Sequence, residues 1–194
     1  MTDPYYKTVE ERGEYAINAI RQNFYSTDER HIYYTHCRWD ELYQEKAILW
    51  IGLMPGYYPE RSPLMERIHW STIKQGFTSF YAFNLFSFRV QHERLLPFAE
   101  ENVTTVNLRV LEGFLKKPEV IQRVILHWGN SISLFHPVVM DTLTMIEAYG
   151  HTPMCISKNN SCNPQSALYA SIASEPINFF DDSDDDSGHI QQIQ

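Results

Sequence analysis

Residues able to recognise a planar polar ligand follow two apolar segments of this sequence. The apolar run 47–51 leads into residues 52–56 (Gly-Leu-Met-Pro-Gly), where glycine permits close backbone approach to a ligand and proline fixes φ. Asn84 interrupts the apolar run 79–88, and its side-chain amide carries a donor and an acceptor, the pair needed to read the edge of a nucleobase. Arg89 follows near the end of this run and is a candidate phosphate contact.

Aromatic and polar residues near two predicted strand ends extend this candidate site. Tyr57 follows the proline–glycine turn, where an aromatic ring can stack on a base. Trp128 and Asn130 lie on either side of Gly129, just after an apolar run. Because the carboxyl ends of parallel strands meet at one edge of a sheet, we expect these groups to converge there. The candidate binding residues are Gly52, Met54, Pro55, Gly56, Tyr57, Asn84, Arg89, Trp128 and Asn130.

Each candidate also has an interpretation that needs no ligand. The Asn84 amide can satisfy neighbouring backbone groups, and Arg89 can be a solvated surface cation. Trp128 can close the core, and Asn130 can cap the helical segment that follows it. Tyr57 can cover the end of the core instead of stacking on a base. A binding role and a structural role are therefore both open for these residues.

Several common catalytic motifs do not occur in the sequence. It has no Gly-x-Ser-x-Gly nucleophile elbow and no Gly-x-x-x-x-Gly-Lys phosphate loop, which argues against a serine hydrolase and a nucleoside triphosphatase. The histidines and cysteines at positions 31, 36 and 37, and at 151, 155 and 162, lack the spacing of zinc ligands. We therefore predict no metal site and no cofactor.

Length and cysteine content indicate the class of protein. The chain has 194 residues, 43% of them hydrophobic, which is enough for one well-buried domain. No apolar run approaches the roughly 20 residues needed to cross a bilayer, and the N-terminal residues do not resemble a signal peptide. Three cysteines form an odd, sparse set that favours a reducing compartment over a disulfide scaffold. These features predict a cytoplasmic protein without membrane contact.

The net charge of −8 is concentrated near the end of the sequence, where five aspartates lie within residues 181–186. We predict a single α/β domain over residues 1–178 and an acidic, disordered tail over residues 179–194. The tail is alternatively an interaction segment for a partner protein, or a segment that competes with nucleic acid for a basic groove. The rest of the chain lacks the basic surface expected of a tight, non-specific duplex binder.

Hydrophobic periodicity predicts alternating helices and strands. The opening segment is a predicted helix, because Thr8 and Glu11 form a capping box and Phe24 lies at helical spacing from earlier apolar residues. Residues 31–39 are a predicted edge strand and residues 47–53 a central one. Further helices are predicted over 62–75, 101–116 and 137–149, and further strands over 79–88, 123–128 and 154–157. This alternation predicts a single three-layer α/β domain with a mostly parallel central sheet.

An ordered series of short motifs resembles a bacterial and phage family called domain of unknown function 1643. The family has an aromatic segment ending in Arg-Trp-Asp, a Leu-Asn-Pro-Ser turn, a helix starting Asp-Pro-Thr, an Asn-Leu-Phe…Arg motif, a Trp-Gly pair and a final His-Pro-Leu-Tyr. Within about residues 31–178, the similar segments are 33–40, 53–56, 62–64, 84–89, 128–129 and 166–169, with Arg67 and Asn107 at further matching positions.

The same landmarks resemble the uracil-DNA glycosylase superfamily, which implies that fold and a pocket for an extruded base. In that group an Asn or Asp in the first turn positions water, and a late His stabilises the leaving base. Met54 and Ser166 stand at those positions here. A thioether cannot orient water, and a neutral hydroxyl stabilises a leaving anion less well than an imidazole does. The resemblance adds Ser166 to the candidate binding residues.

Two hypotheses follow. The first is a nucleobase- or nucleotide-recognising protein on a glycosylase-like scaffold, with a base, a nucleotide or single-stranded nucleic acid as its ligand. Any N-glycosidic hydrolysis is expected to be weak or altered, with Ser166, His127 or His136 replacing the missing groups. The alternative is a catalytically inactive phage or mobile-element protein that binds a partner protein through its acidic tail or an exposed aromatic face. Enzymatic activity is left open by the sequence.

Overall fold

Strands and helices alternate along most of the chain. A computed structural model describes residues 7–12, 20–39, 44–56, 62–89 and 102–181. The strands are β1 (Lys7–Arg12), β2 (Ile20–Tyr25), β3 (Ile32–Arg38), β4 (Ala47–Gly52), β5 (Ser79–Asn84), β6 (Ile121–Leu126), β7 (Pro153–Cys155) and β8 (Ile177–Asn178). The helices are α1 (Pro63–Lys74), α2 (Asn102–Leu115) and α3 (Pro137–Ala148).

The eight strands form one sheet in the order β1-β2-β3-β5-β4-β6-β7-β8. The four strands β5, β4, β6 and β7 run parallel to one another. The pairs β1–β2, β2–β3, β3–β5 and β7–β8 are antiparallel. The α/β prediction is thus confirmed, but the sheet is mixed rather than mostly parallel. Its parallel centre is the part in which crossover helices connect the strands.

The opening segment forms strands, so the predicted helix is wrong. β1 and β2 pair antiparallel along their whole length. In β2 the side chains of Arg21, Asn23 and Tyr25 are buried, and those between them are less so, which is the period of two expected of a strand. Pairing of β2 with neighbours on both sides satisfies its backbone and outweighs the capping-box pattern.

Three other strands also differ from the sequence-based expectations. β3 lies between β2 and β5, so it is an interior strand and not an edge. β5 ends at Asn84, four residues before the predicted end. The carbonyls of Asn84 and Leu85 accept hydrogen bonds from the Asn107 side chain at 2.7 and 3.0 Å, while the amides of Leu85 and Phe86 still donate to the carbonyls of Gly52 and Leu53. The short strand β8 was not among the predicted elements.

The helices and the remaining central strands lie close to their predicted positions. Helix α1 begins as the sequence indicates: the hydroxyl of Ser62 accepts a hydrogen bond from the Leu64 amide, and Pro63 fills the first helical position. Helix α3 begins in the same way, with His136 as its N-cap and Pro137 following. These starts were predictable because a cap residue and a proline act locally.

Alternation along β4 divides the core into two layers. Leu49 and Ile51 pack on the face covered by α2 and α3, whereas Ile48 and Trp50 pack on the face covered by α1. The Trp50 indole donates a 3.0 Å hydrogen bond to the hydroxyl of Thr72 in α1. Because both faces of β4 are buried, the strand is apolar at every position before Gly52. The result is the predicted three-layer arrangement.

The chain end beyond β8 is partly built into the domain. Phe179, the first residue of the predicted tail, is buried beside Trp128. Residues 182–194, which hold most of that tail, lie outside the described residues, so its disorder stays a prediction. Within the described ranges, no helix combines the length and the apolar character needed to cross a membrane.

Candidate ligand-binding site

Three neighbouring parallel strands bring the candidate site together at their carboxyl ends. β4 is the middle strand, and its last residue, Gly52, is in register with Asn84 at the end of β5. On the other side, the backbone amide of His127, just after β6, donates a 2.8 Å hydrogen bond to the carbonyl of Ile51. Asn84, Gly52 and His127 therefore lie side by side at one sheet edge, where α/β proteins place ligands.

Gly52 leaves the space in which the two flanking side chains meet. A Cβ atom at this position would lie 2.8 Å from Asn84 Oδ1, 2.8 Å from His127 Cε1 and 3.1 Å from His127 Nε2. Carbon does not approach such atoms so closely without displacing them. The absence of a side chain at Gly52 is therefore what allows the Asn84 amide and the His127 imidazole to approach each other above the strand.

A small cavity of about 30 Å³ lies against this group, with room for about two water molecules. Met54, Pro55 and Gly56 form one wall, and the start of α1 forms another. The polar groups in its lining are the Asn84 amide, the His127 imidazole and the hydroxyls of Thr35 and Ser62. The lining residues within the described ranges are Thr35, Met54, Pro55, Gly56, Ser62, Leu64, Met65, Ile68, Ala82, Asn84 and His127.

His127 is a buried, neutral imidazole. Burial lowers its pKa to about 4, so it carries no charge at neutral pH. Its Nδ1 has no hydrogen-bond partner among the described residues, and the edge of the ring contacts Trp50. A neutral imidazole has one donor and one acceptor nitrogen, so it can pair with either kind of group. A buried ring nitrogen without a partner is costly.

Helix α2 holds the backbone that carries Asn84. The amide of Asn107, a buried residue of α2, donates to the carbonyls of both Asn84 and Leu85. This contact fixes the end of β5, while the side chain of Asn84 has no protein hydrogen bond within the described chain. Asn107 therefore acts as a positioning residue, and the amide of Asn84 is left available to a ligand.

The described part of the cavity lining is uncharged. The Thr35 hydroxyl donates to the Asn23 side chain at 2.6 Å, which extends a buried polar layer behind the cavity. At the start of α1, the amides of Leu64, Met65 and Glu66 already donate to the hydroxyl or carbonyl of Ser62. The helix N-terminus thus offers none of these three donors to an anion. Among the described residues, the lining contains no lysine or arginine, and this part of the site suits a neutral ligand.

Comparison with known proteins identifies the family. Residues 33–165, more than two thirds of the chain, match the model of the family described as protein of unknown function (DUF1643). The chain belongs to this family. The predicted resemblance is thereby confirmed, while the uracil-DNA glycosylase-like fold stays a prediction.

Other comparisons add little. None of the curated proteins matches the sequence. Among solved structures, the chain is similar to a crystal structure from Bacteroides fragilis NCTC 9343, described as that of a candidate acetyl xylan esterase. The two are 8% identical with a TM-score of 0.43, and the similarity covers 78% of this chain and 48% of the other. The present chain therefore spans about half the length of that protein.

The family's first-turn motif forms the cavity wall as the sequence suggested. Met54, Pro55 and Gly56 line the cavity together with Asn84, and Gly52 lies beneath the two meeting side chains. Tyr57, the predicted stacking residue, lies outside the described residues. Half of the ten predicted binding residues are thus assembled around one cavity, and their role in binding stays a prediction.

Arg89, at the end of the family's Asn-Leu-Phe…Arg motif, does not line this cavity. Its guanidinium donates to the carbonyl of Glu29 at 3.1 Å and stacks over the ring of Tyr25. Its backbone amide donates to the carbonyl of Arg30. Arg89 therefore stabilises the turn between β2 and β3, and the predicted phosphate contact has no support in this arrangement.

The Trp-Gly motif contributes the residue before the tryptophan. Trp128 points to the face covered by α2 and α3, where its indole donates to the Asn163 side chain at 3.2 Å. Side chains alternate along an extended segment, so His127 points to the cavity on the α1 face, on which Ile125 also lies. The sequence suggested His127 only as a replacement for missing catalytic groups. Because His127 lies two residues after Ile125 in an extended segment, the two side chains share a face, and this spacing identifies His127 as a cavity residue.

The last two predicted binding residues and His136 also lie away from the cavity lining. Asn130 is exposed. The Ser166 hydroxyl accepts a hydrogen bond from the Leu168 amide within a local turn. Arg67 of α1 donates to backbone carbonyls of that same turn and so attaches it to the helix. His136 caps α3, and its ring accepts from the Val138 amide.

Proposed function

We propose that this protein recognises the edge of a neutral nucleobase in the cavity where Asn84 and His127 meet above Gly52. The observation that carries the proposal is the pairing of an available amide with a buried imidazole whose Nδ1 has no partner within the described chain. Together, the amide and the imidazole present hydrogen-bond donors and acceptors side by side, as recognition of the edge of a base requires.

The rest of the lining supports a flat, uncharged ligand. Met65, Ile68 and Ala82 offer apolar contact, and the lining residues that the structure describes include no cation to bind a phosphate. A base or nucleoside is therefore favoured over a nucleotide as the group that enters the cavity. A sugar or phosphate attached to the base is expected to remain outside, beyond Gly56, which is exposed at the cavity rim.

Entry of a base requires Met54 to withdraw, because about 30 Å³ holds only two waters. Methionine is unbranched and adapts its shape readily, so it is suited to such a movement. Displacing confined water and bringing a hydrogen-bonding edge to His127 both favour binding. We propose that Met54 occupies the base position while the site is empty.

Binding without efficient hydrolysis is the activity that these residues support best. Met54 lines the cavity at the position of the water-orienting residue, and Ser166 is not among the lining residues. Any N-glycosidic hydrolysis would then depend on His127, whose neutral ring is a poor acid and, with its pKa lowered to about 4, only a weak base. The uracil-DNA glycosylase-like scaffold, a phage or mobile-element origin and a cytoplasmic location belong to the same proposal, the last supported by the buried thiols of Cys37 and Cys155.

Thermal unfolding in the presence of ligands tests the proposal. The panel contains the four DNA bases, uracil, their nucleosides and nucleotides, and short single-stranded oligonucleotides. A base or nucleoside is expected to raise the unfolding midpoint of the wild type and of the control variant Asn130→Ala, because ligands that bind the folded state stabilise it. The midpoint of Asn84→Ala is expected to stay unchanged.

The same experiment can refute the proposal. A panel in which no ligand shifts the wild-type midpoint, or in which Asn84→Ala responds as strongly as the wild type, contradicts it. Product analysis by chromatography then separates binding from hydrolysis, and free base released from an oligonucleotide at a rate abolished by His127→Gln would make the protein an enzyme.

A further inference from the structure

A buried hydroxyl in the lining of the cavity is held in one orientation by its neighbour. Thr35 of β3 lines the cavity, and it is in register with Asn23 of β2 on one side and with Ala82 of β5 on the other. Both polar residues are buried, Thr35 with 3% and Asn23 with 0% of its surface exposed. The Thr35 hydroxyl donates a 2.6 Å hydrogen bond to Oδ1 of Asn23. This bond determines what the hydroxyl can offer to a ligand.

The length of this hydrogen bond identifies Thr35 as its donor. A distance of 2.6 Å is typical of an O–H···O bond and shorter than the usual N–H···O bond. The atom that faces Thr35 is therefore the side-chain oxygen of Asn23 and not the nitrogen. A hydroxyl has one hydrogen and two lone pairs. Because its hydrogen is given to Asn23, Thr35 presents only an acceptor to a group in the cavity.

The Thr35 hydroxyl cannot turn toward a ligand without a cost. Within the part of the chain that the structure describes, Oδ1 of Asn23 has no other donor and Nδ2 of the same amide has no partner. If Thr35 donated to a ligand instead, a fully buried oxygen would lose its hydrogen bond, which is unfavourable in a protein interior. Asn23 therefore keeps Thr35 in the accepting state and acts as a positioning residue.

Asn84 supplies a donor close to this acceptor. β3 and β5 are antiparallel, and Asn84 lies two residues after Ala82, the residue opposite Thr35. Such diagonal positions on one face of a sheet are about 7–8 Å apart, so one small ligand can contact both side chains. Oδ1 is the amide atom of Asn84 that lies nearest to Gly52, at 2.8 Å from the position of a Cβ there, and Nδ2 is turned away from that glycine. Thr35 and Asn84 thus form an acceptor beside a donor.

An acceptor beside a donor complements one kind of base edge. Cytosine and adenine present an exocyclic amino group next to an unprotonated ring nitrogen, which is a donor beside an acceptor. Their keto counterparts, uracil and hypoxanthine, present the reverse, an oxygen next to a ring N–H. We propose that Thr35, oriented by Asn23, makes the site selective for cytosine or adenine, with the amino group donating to Thr35 and the ring nitrogen accepting from Asn84. This inference rests on the proposed base-binding function and names its substrate class.

Matched pairs of bases test the inference. Cytosine is compared with uracil, and adenine with hypoxanthine, because the members of each pair differ only in the amino or keto group and the hydrogen of the neighbouring ring nitrogen. Dissociation constants are obtained from the unfolding midpoint over a series of ligand concentrations. The wild type is expected to bind the amino member of each pair about tenfold or more tightly, since the keto oxygen of the other member faces an acceptor in a buried site.

Three variants separate selectivity from affinity. Thr35→Val keeps the shape of the side chain and removes the acceptor, so cytosine is expected to bind about tenfold more weakly and to lose its preference over uracil. Asn23→Leu releases the Thr35 hydroxyl to donate or accept. Uracil is then expected to bind about threefold or more tightly than to the wild type, with cytosine affinity retained, whereas a merely structural role of Asn23 would lower both affinities together. Thr142→Val removes another buried threonine hydroxyl, from α3 on the opposite face, and is expected to change neither property.

The outcomes distinguish this inference from the base-binding proposal. Equal or tighter binding of uracil and hypoxanthine by the wild type would overturn the inference and leave base binding in place. Unchanged selectivity in Thr35→Val or Asn23→Leu, or lost selectivity in Thr142→Val, would also overturn it. Absence of binding by every base would overturn both. The wild-type comparison needs no substitution, so it decides the inference even where a variant does not fold.

Discussion

The side chains of Asn84 and His127 meet above Gly52 although their strands are not neighbours. β4 lies between β5 and β6, so the two side chains bridge a distance of about two strand spacings, close to 10 Å. They can do so because the middle strand ends in glycine, and a Cβ there would lie 2.8 Å from atoms of both residues. The site therefore depends on Gly52, because this residue has no side chain to occupy the space above the strand.

Gly52→Ala is expected to disrupt this relationship. The added methyl group must displace the Asn84 amide and the buried His127 ring, at a cost of about 1–3 kcal/mol of folding stability as in other overpacked sites. Ligand binding is expected to be lost as well. Gly113→Ala is the control: that glycine has open space around it within α2, so alanine should stabilise the helix by about 1 kcal/mol or less. Urea denaturation measures both, and a neutral Gly52→Ala would contradict the described geometry.

Asn107→Ala is expected to loosen the end of β5. It removes two hydrogen bonds to the carbonyls of Asn84 and Leu85, which should cost about 1–3 kcal/mol because those groups lie in a largely buried region. Affinity for a base should also fall, since Asn84 is no longer held in place. Asn130→Ala, at an exposed position, is expected to change stability by less than about 0.5 kcal/mol. Equal stability of the two variants in chemical denaturation would rule out the positioning role.

The buried His127 predicts a specific loss of stability in acid. Its pKa is about 4 in the folded protein and 6.5 in an exposed chain, so between these values the unfolded state binds more protons. The stability contributed by the neutral ring is present above pH 6.5 and is lost as the pH falls toward 4, by up to about 3 kcal/mol. Denaturation curves from pH 7.5 to 4 measure this slope.

A substitution tests whether this pH dependence of folding stability arises from His127. His127→Gln is expected to reduce it, and the remaining slope should reflect other groups such as His69, whose pKa is also lowered by burial. Base binding is expected to be independent of pH between 6.5 and 8, because His127 stays neutral throughout. An unchanged slope in His127→Gln would mean that the ring is not buried in solution.

Trp128→Phe and Asn84→Ala are expected to have opposite effects. Trp128→Phe leaves the buried side-chain oxygen Oδ1 of Asn163 without its donor and should cost about 1–3 kcal/mol, with ligand binding retained because Trp128 faces α2 and α3. Asn84→Ala should change stability by less than about 0.5 kcal/mol, since its amide makes no hydrogen bond within the described chain, and should abolish binding. Thermal shifts with and without ligand separate the two. Loss of binding in Trp128→Phe without loss of stability would contradict this assignment and indicate that Trp128 takes part in ligand binding.

Features encoded over a few neighbouring residues could be predicted from the sequence. The Ser62–Pro63 pair starts α1, and the apolar segment that forms β4 ends in the Gly-Leu-Met-Pro-Gly turn that walls the cavity. A cap, a proline and a continuous apolar strand act through local backbone geometry and two-sided burial, so they hold whatever the rest of the chain does. Asn84 stood out for the same reason, as a polar residue in an apolar run.

Only the tertiary structure decided which polar groups share the cavity. The sequence shows that the side chains of His127 and Trp128 must point to opposite faces of the sheet. It does not show which face is covered by α1 and which by α2 and α3, because that depends on how the helices pack. Arg89 followed Asn84 closely and was expected beside it, yet its guanidinium and its backbone amide donate to carbonyls of the β2–β3 turn. The opening segment carried helical spacing but forms β1 and β2, which pair with each other and with β3. Strand pairing and facing are set by contacts far apart in sequence, which no local pattern records.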